Sequence, residues 1–260
     1  MESTSGLASA NTTKTKHKSS VSETGHAKNI AHFQELIAFV TGYGATYNPS
    51  KEALKIPQLN AIVATAETKL ADVITKNTAY NNAVNDRVIA FSVLKGLSTR
   101  LVSALQTTNA PKEKISDAKG FNRKMQGGRA AAIQTPTDPN APAPNTISTS
   151  QQSYDQLIQH FAALISVLES ETSYQPNEND LKVATLTAKQ AELIAKNNAV
   201  ITAYINISNS RIQRNKTLYD TTTGLVDTAL EVKKYVKSVY GATSPEYDQI
   251  KGILFKKEKR

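Results

Sequence analysis

The sequence predicts an all-α protein, an elongated helical bundle built from two tandem repeats. The motif Thr-Ala-Tyr-x-Asn-x-x-Asn-x-Arg-(Val/Ile) occurs at residues 78–88 and again 124 positions later, at 202–212. Apolar residues recur at heptad spacing around both copies, which is typical of long packed helices. Four prolines between positions 136 and 144 separate the two halves. An internal duplication joined by a linker explains all three observations.

The elements are expected in the same order in each half. Residues 1–27 are rich in Ser, Thr, Lys and Gly without periodicity, which predicts a disordered tail. Repeat 1 then covers 28–126, a Pro/Gly-rich linker covers 127–150, repeat 2 covers 151–255, and a basic tail covers 256–260. Each repeat is predicted to contain a short helix, a long heptad-patterned helix of about 50 residues and a short C-terminal helix.

The turn before each long helix and the start of the last helix have sequence signals of their own. Tyr47-Asn-Pro49 in the first half matches Tyr174-Gln-Pro176 in the second, and both precede the heptad pattern. Ser244 followed by Pro245 predicts a helix start, with a capping hydroxyl and then proline at the first helical position. Gly96 and Gly224 lie inside the long patterns and predict kinks or sites of close helix approach.

Composition limits the class of protein. There is no cysteine, which excludes disulfides and thiolate metal sites. The N-terminus does not resemble a secretory signal, and no run approaches the roughly 18–20 apolar residues that span a bilayer. We therefore expect a cytoplasmic protein without a membrane span.

The repeated motif divides between two faces of its helix. The tyrosines and arginines lie on the seam that faces a partner helix, whereas the threonines and asparagines share a second, polar stripe. One interpretation is a hydrogen-bonded layer that fixes helix register. The other is a ligand site at a pseudo-twofold axis, where two arginines bind a small anion. The candidate residues are Thr78, Tyr80, Asn82, Asn85, Arg87, Thr202, Tyr204, Asn206, Asn209 and Arg211.

Basic residues provide a second candidate site. The formal net charge is +9, and lysines and arginines are concentrated after each long helix. Such clusters can bind polyanions such as nucleic acid or acidic surfaces, although ordinary solvated helix ends look the same. The candidate contacts are Lys251, Lys256, Lys257, Lys259 and Arg260.

Signals of catalysis are sparse. Of the four histidines, His17 and His26 fall in the N-terminal tail, and His160 is expected to pack on a helix. The repeated motif provides no histidine or carboxylate in both copies to act as a general base. We therefore expect no enzyme activity, no cofactor and no metal.

The Tyr-x-Pro turn, the duplicated motif and the closing segment from Tyr235 to Gly252 resemble an uncharacterised bacterial family of two-repeat all-helical proteins. The resemblance covers about residues 28–255. It implies a bacterial, cytoplasmic protein and brings no known activity. The resulting expectation is a non-catalytic helical scaffold that binds a protein partner or itself. The alternatives are polyanion binding through the basic ends and, third, binding of a small anionic ligand at the polar layer.

Overall fold

The computed structural model describes residues 23–127 and 152–257, which form α-helices and short 3-10 helices with no β-strand. The all-α prediction is therefore confirmed for this part of the chain. Most of the predicted disordered tail and all but the first residue of the predicted linker lie outside the described residues. The α-helices are α1 Glu23–Gly42, α2 Ile56–Ser92, α3 Leu94–Gln106, α4 Lys112–Gln126, α5 Tyr154–Glu169, α6 Val183–Tyr219, α7 Leu225–Tyr240 and α8 Pro245–Lys251.

The long helix of the first half has the predicted length, whereas that of the second half is shorter. α2 and α3 form one helical stretch of 51 residues, in which Val93 keeps right-handed helical backbone angles. α6 has 37 residues, not about 50, and the backbone turns before the heptad pattern continues into α7. After α6, the Asp220 carboxylate accepts the backbone N–H groups of Thr222 and Thr223, at 3.0 and 2.9 Å. A side chain that binds nearby backbone donors competes with helix continuation, and this ends α6.

The first helix begins earlier than predicted. α1 starts at Glu23, so residues 23–27 are helical and do not belong to a disordered tail. His26 and Asn29 are buried on this turn. The Nδ1 atom of His26 lies 2.7 Å from the Tyr219 hydroxyl, and a polar contact of this kind fixes a helix start that local composition would leave unfolded.

The described chain divides into two compact units that do not follow the sequence halves. Unit 1 comprises residues 1–71 and 212–260, and unit 2 comprises residues 72–211. The division falls inside α2 and inside α6.

In unit 1, α1 packs against α7 and α8. Its core contains fully buried side chains from three separate stretches of chain, including Phe33, Leu59 and Val232. A helix from the first sequence half is thus covered by helices from the second half. Ser244 caps α8 by accepting the Tyr247 N–H at 3.1 Å, with Pro245 following it, as the sequence predicted.

In unit 2, α3, α4 and α5 pack together. Leu101, Phe161 and Leu193 are fully buried in its core. Here α5 from the second half packs against α3 and α4 from the first half. Each unit is therefore completed by chain from both halves.

The two Tyr-x-Pro turns have the same local structure. The Tyr47 hydroxyl donates to the Leu54 carbonyl at 2.7 Å, and the Tyr174 hydroxyl donates to the Leu181 carbonyl at 2.9 Å. A one-turn 3-10 helix, Glu52–Leu54 or Asn179–Leu181, immediately precedes each long helix. Burial raises the pKa of both phenols, that of Tyr174 to about 12, so both remain protonated donors at neutral pH.

One helical stretch, Ile56–Gln106, is long and apolar enough by composition to cross a membrane. The sequence prediction had found no such run. In the structure this stretch comprises α2 and α3, with Val93 between them. Leu94 and Leu101 are buried in the core of unit 2. A core helix of a folded bundle meets the same criterion of length and apolar composition.

Candidate functional site

Within unit 2, α2 and α6 lie side by side and antiparallel. Asp72 contacts Ser210, and the Tyr80 ring lies 6.1 Å from the Tyr204 ring between centroids. Further along α2, Arg87 contacts Asn197. The residue numbers rise on α2 while they fall on α6, so the helices run in opposite directions. The sequence had left the helix direction open.

The two copies of the repeated motif meet through their tyrosines. Tyr80 is half-buried and Tyr204 is 58% exposed, so this contact lies at the edge of the helix pair. The remaining polar positions are exposed to solvent: Thr78, Asn82, Asn85, Thr202, Asn206 and Asn209. Among the described residues, none of these asparagines has a hydrogen bond to another motif residue. The motif's own side chains therefore do not form the hydrogen-bonded layer that the first interpretation required.

Arg87 belongs to a different polar network. Its Nη1 donates to the side-chain oxygen Oδ1 of Asn197 at 3.0 Å, and Asn197 Nδ2 donates to the Asp155 carboxylate at 2.8 Å. The guanidinium also lies 4.0 Å from the centroid of the Tyr154 ring, which in turn packs edge-on against Phe91. Since Asn197 is only 5% exposed, this network fixes α6 and the start of α5 to α2.

Sequence reasoning missed the partners in this network. Asn197 occupies a seam position in the heptad pattern, and a polar residue there was the signal that could have identified it. Tyr154 and Asp155 follow Ser153, whose hydroxyl caps α5 by accepting the Gln156 N–H. No local pattern places that helix start beside Arg87.

The two motif arginines do not share a site. Arg87 lies level with Asn197, which is fourteen residues before Arg211 and therefore about 21 Å from it along the helix. Arg211 is exposed, and it makes no hydrogen bond or ion pair among the described residues. The anion site with two arginines at one pseudo-twofold axis was therefore wrong, because an antiparallel pair places equivalent positions apart unless they lie near the centre.

One flank of the α2–α6 pair carries charge. The Lys196 ammonium lies 2.8 Å from the Asp86 carboxylate, and Ser210 donates to Asp72 at 2.6 Å. Asp72, Asp86 and Lys196 directly precede the buried or half-buried residues Val73, Arg87 and Asn197, whereas Ser210 is itself buried. Side chains are 100° apart around a helix, so residues before and after a seam residue lie on opposite flanks.

The opposite flank carries no charge except Arg211, which is exposed three residues beyond Ser208. This flank is formed by the residues that come one position after a seam residue. These make two rows at heptad spacing: Ile74, Asn81 and Val88 on α2, and Ile194, Ile201 and Ser208 on α6. We call these six residues the uncharged face. Ile74 is 58% exposed, Val88 50% and Ile201 52%. Ile205 and Ile89, next to these rows, are also exposed.

An exposed apolar strip of this kind is unusual on a helix pair. Isolated exposed apolar residues are normal, whereas contiguous ones mark a binding surface. Thr78, Asn85 and Thr202 of the repeated motif border the strip, so the polar stripe of the motif and the isoleucines form one neutral surface. The signal was present in the sequence as an apolar row beside the seam.

The basic candidate residues lie in unit 1. Lys251 pairs with Asp248 at 2.6 Å, whereas Lys256 and Lys257 are exposed. Lys259 and Arg260 lie outside the described residues. The Asn29 side chain both donates to the Lys256 carbonyl, at 2.8 Å, and accepts its N–H, at 3.0 Å. This pair of bonds holds the chain that carries the exposed lysines.

A second contact supports the same segment. Lys233 donates to the carbonyls of Lys251 and Ile253, and its ammonium lies 5.6 Å from the Phe255 ring centroid. Burial lowers the pKa of Lys233. This lysine therefore serves the packing of the C-terminal segment and is a poor candidate for contact with a polyanion.

Unit 2 contains a polar cleft of about 410 Å³. It is lined by residues 104, 107–109 and 173–178, mostly hydroxyl and amide side chains. Glu178 is its carboxylate, and the Tyr174 hydroxyl is committed to the Leu181 carbonyl. The Ser173 hydroxyl in this lining donates to the Glu171 carboxylate at 2.7 Å, but the same carboxylate oxygen also accepts the Ser173 N–H at 3.1 Å, and Glu171 pairs with Lys114. The described part of the chain does not group three His, Cys, Asp or Glu residues in a way that could hold a metal.

Comparison with known proteins adds no relative. No protein-family model, no curated protein and no solved structure gives a significant match to this chain.

Proposed function

We propose that this chain is a non-catalytic helical scaffold, built from two tandem repeats, that binds a protein partner through the uncharged face. The observation that carries the proposal is the pair of exposed Ile/Val rows on α2 and α6. A partner that covered these branched apolar side chains would stabilise the complex by roughly 25 cal/mol for each Å² of apolar surface removed from water.

The repeat architecture is supported by matched local structure. α2 and α6 have the same length, and each follows a buried Tyr-to-Leu hydrogen bond seven residues apart and a one-turn 3-10 helix. Each long helix is also followed by further helix, α3 directly after α2 and α7 after a turn. Two unrelated stretches of chain have no physical reason to share this series of elements.

The distribution of charge supports a protein partner for the face. Interface centres are depleted of charged residues and keep a polar rim. On the uncharged face, Asn81 and Ser208 interrupt the apolar rows, and motif threonines and asparagines border them. Such a surface can bury its isoleucines without desolvating an ion.

Site-specific photo-crosslinking in the cells that make the protein tests this function. A benzoylphenylalanine at Ile201 is expected to crosslink to a protein. The matched control at Ala199, which is exposed on the charged flank of the same helix, is expected to give little product. Equal labelling from both positions, or none from Ile201, would contradict the proposal.

A further inference from the structure

We infer that the partner on the uncharged face is a second copy of this chain, so that the α2–α6 pairs of two molecules form a four-helix bundle. The inference rests on the proposed function and names its partner.

The heptad pattern itself indicates a bundle. A helix pair that is complete as a two-stranded coiled coil needs apolar residues at the two seam positions of each heptad. Here a third position, the one occupied by Ile74 and Val88 on α2 and by Ile194 and Ile201 on α6, is also apolar. Three apolar positions per heptad are typical of helices that pack on two sides, as in a four-helix bundle.

The face is compatible with its own copy. In a twofold dimer the same patch meets itself, so a patch that carries charge of one sign repels its copy. The chain carries a net charge of +9, yet both rows are free of ionisable residues. Neither a strongly basic nor a strongly acidic partner surface would find an opposite charge in these two rows. A neutral surface of mixed isoleucine, valine and short polar side chains is the matching chemistry.

The size fits a weak, concentration-dependent dimer. The uncharged face extends over residues 74–88 and 194–208, or about 21 Å along each helix, and two adjacent helices are about 20 Å wide. This gives about 420 Å² per copy and about 840 Å² in total, in the range of weak or transient interfaces.

The test measures self-association of the full chain by analytical ultracentrifugation from about 1 to 100 μM, a range that covers weak to moderate homodimers. The face variant is Val88→Glu with Ile201→Glu. The control is Ala79→Glu with Ala199→Glu, which adds the same charge at exposed positions on the other flank. The wild type and the control are expected to dimerise alike. The dissociation constant of the face variant is expected to rise at least about 100-fold, because carboxylates would be buried without partners.

A second measurement does not depend on glutamate substitutions. Because the chain has no cysteine, Asn81→Cys introduces a single thiol on the face, and Ala79→Cys is its control. Mild oxidation is expected to give a disulfide-linked dimer from Asn81→Cys and far less from Ala79→Cys. Circular dichroism must show equal helix content in all variants.

A monomeric wild type at 100 μM, or a dimer weakened equally by both double variants, would overturn this inference. If the Ile201 photo-crosslinks then contain a different protein, the proposed function survives without self-association. If they contain none, both fail. Binding of the monomer to lipid vesicles through the same face would also overturn both.

Discussion

At the scale of single residues, Arg87 and Arg211 show how identical positions in two repeats acquire different roles. Arg87 contacts Asn197 and the Tyr154 ring, whereas Arg211 is exposed to solvent. The same residue type therefore stabilises tertiary structure in one copy and is a surface residue in the other. A pair of matched substitutions separates these roles.

Arg87→Leu is expected to lower the free energy of unfolding by about 1–3 kcal/mol, because it leaves the buried side-chain oxygen Oδ1 of Asn197 without its donor. Arg211→Leu is expected to change it by no more than about 0.5 kcal/mol, as for other exposed positions. Urea denaturation of both variants measures the difference. Equal effects would contradict the network described above.

His160 is the second residue with a testable consequence. It is buried on α5, and its Nε2 has no hydrogen-bond partner. Burial, with the charge of Lys124 as a smaller cause, lowers the pKa of His160. Since the unfolded chain then binds the proton more readily, stability should fall as pH drops below the unfolded pKa of about 6.5.

His160→Phe is expected to be at least as stable as the wild type at pH 7 and to lose part of the decline between about pH 6.5 and 5. Phenylalanine is the residue at the matching position of the first half, Phe39, when Leu36-Ile37 is aligned with Leu157-Ile158. Lys124→Gln should reduce the decline by a smaller amount, because it removes the secondary cause. Thermal melts at several pH values test both variants. An unchanged pH profile in His160→Phe would refute the assignment.

At the scale of elements, two glycines in the long heptad patterns have different roles. A Cβ on Gly224 would lie 2.5 Å from the backbone N and O of Asp220, in the turn between α6 and α7. A Cβ on Gly96, in α3, would meet nothing within 4 Å. The sequence had predicted kinks or close approaches at both. The structure shows a close approach at Gly224.

Gly224→Ala is therefore expected to destabilise the protein by about 1–3 kcal/mol, since backbone atoms must move to accept the methyl group. Gly96→Ala should stabilise it by up to about 1 kcal/mol through helix propensity. Denaturant titrations of the two variants give opposite signs if this account is right. A stabilising Gly224→Ala would show that the turn relaxes without cost.

At the scale of the whole molecule, net charge makes the polyanion alternative testable. Reversing Lys256 and Lys257 to glutamate lowers the net charge from +9 to +5, since each change removes two charges. Reversing the exposed Lys112 and Lys119 does the same elsewhere in the chain. The polyanion alternative predicts that the first variant binds duplex DNA more weakly than the second and that wild-type affinity falls steeply with salt.

Filter binding across a salt series measures both effects. If the two variants lose affinity equally, net charge and not a specific basic end governs binding. Undetectable wild-type binding at about 50 mM salt would remove the alternative altogether.

The sequence by itself determined the local structure of this protein. Heptad spacing predicted helices, Ser244 and Pro245 predicted the start of α8, and the Tyr-x-Pro segments marked the turns before α2 and α6. These features depend on side chains within a few residues of one another, so local chemistry is sufficient to specify them. The extension of helix through residue 93 was confirmed, because Val93 keeps helical backbone angles. The extension through residues 220–224 was wrong, because the heptad pattern resumes in α7 in the same register and so does not reveal the turn between the two helices.

The tertiary structure decided which helix covers which. Unit 1 joins α1 to α7 and α8, and unit 2 joins α3 and α4 to α5, so each core combines both halves of the chain. It also decided that Arg87 binds Asn197 and that one row of isoleucines stays exposed. Because the two halves have the same apolar pattern, a helix could bury its apolar side against helices of either half. The hydrophobic effect is not directional, so it does not choose between these arrangements. Only the packed arrangement of specific side chains chooses among them.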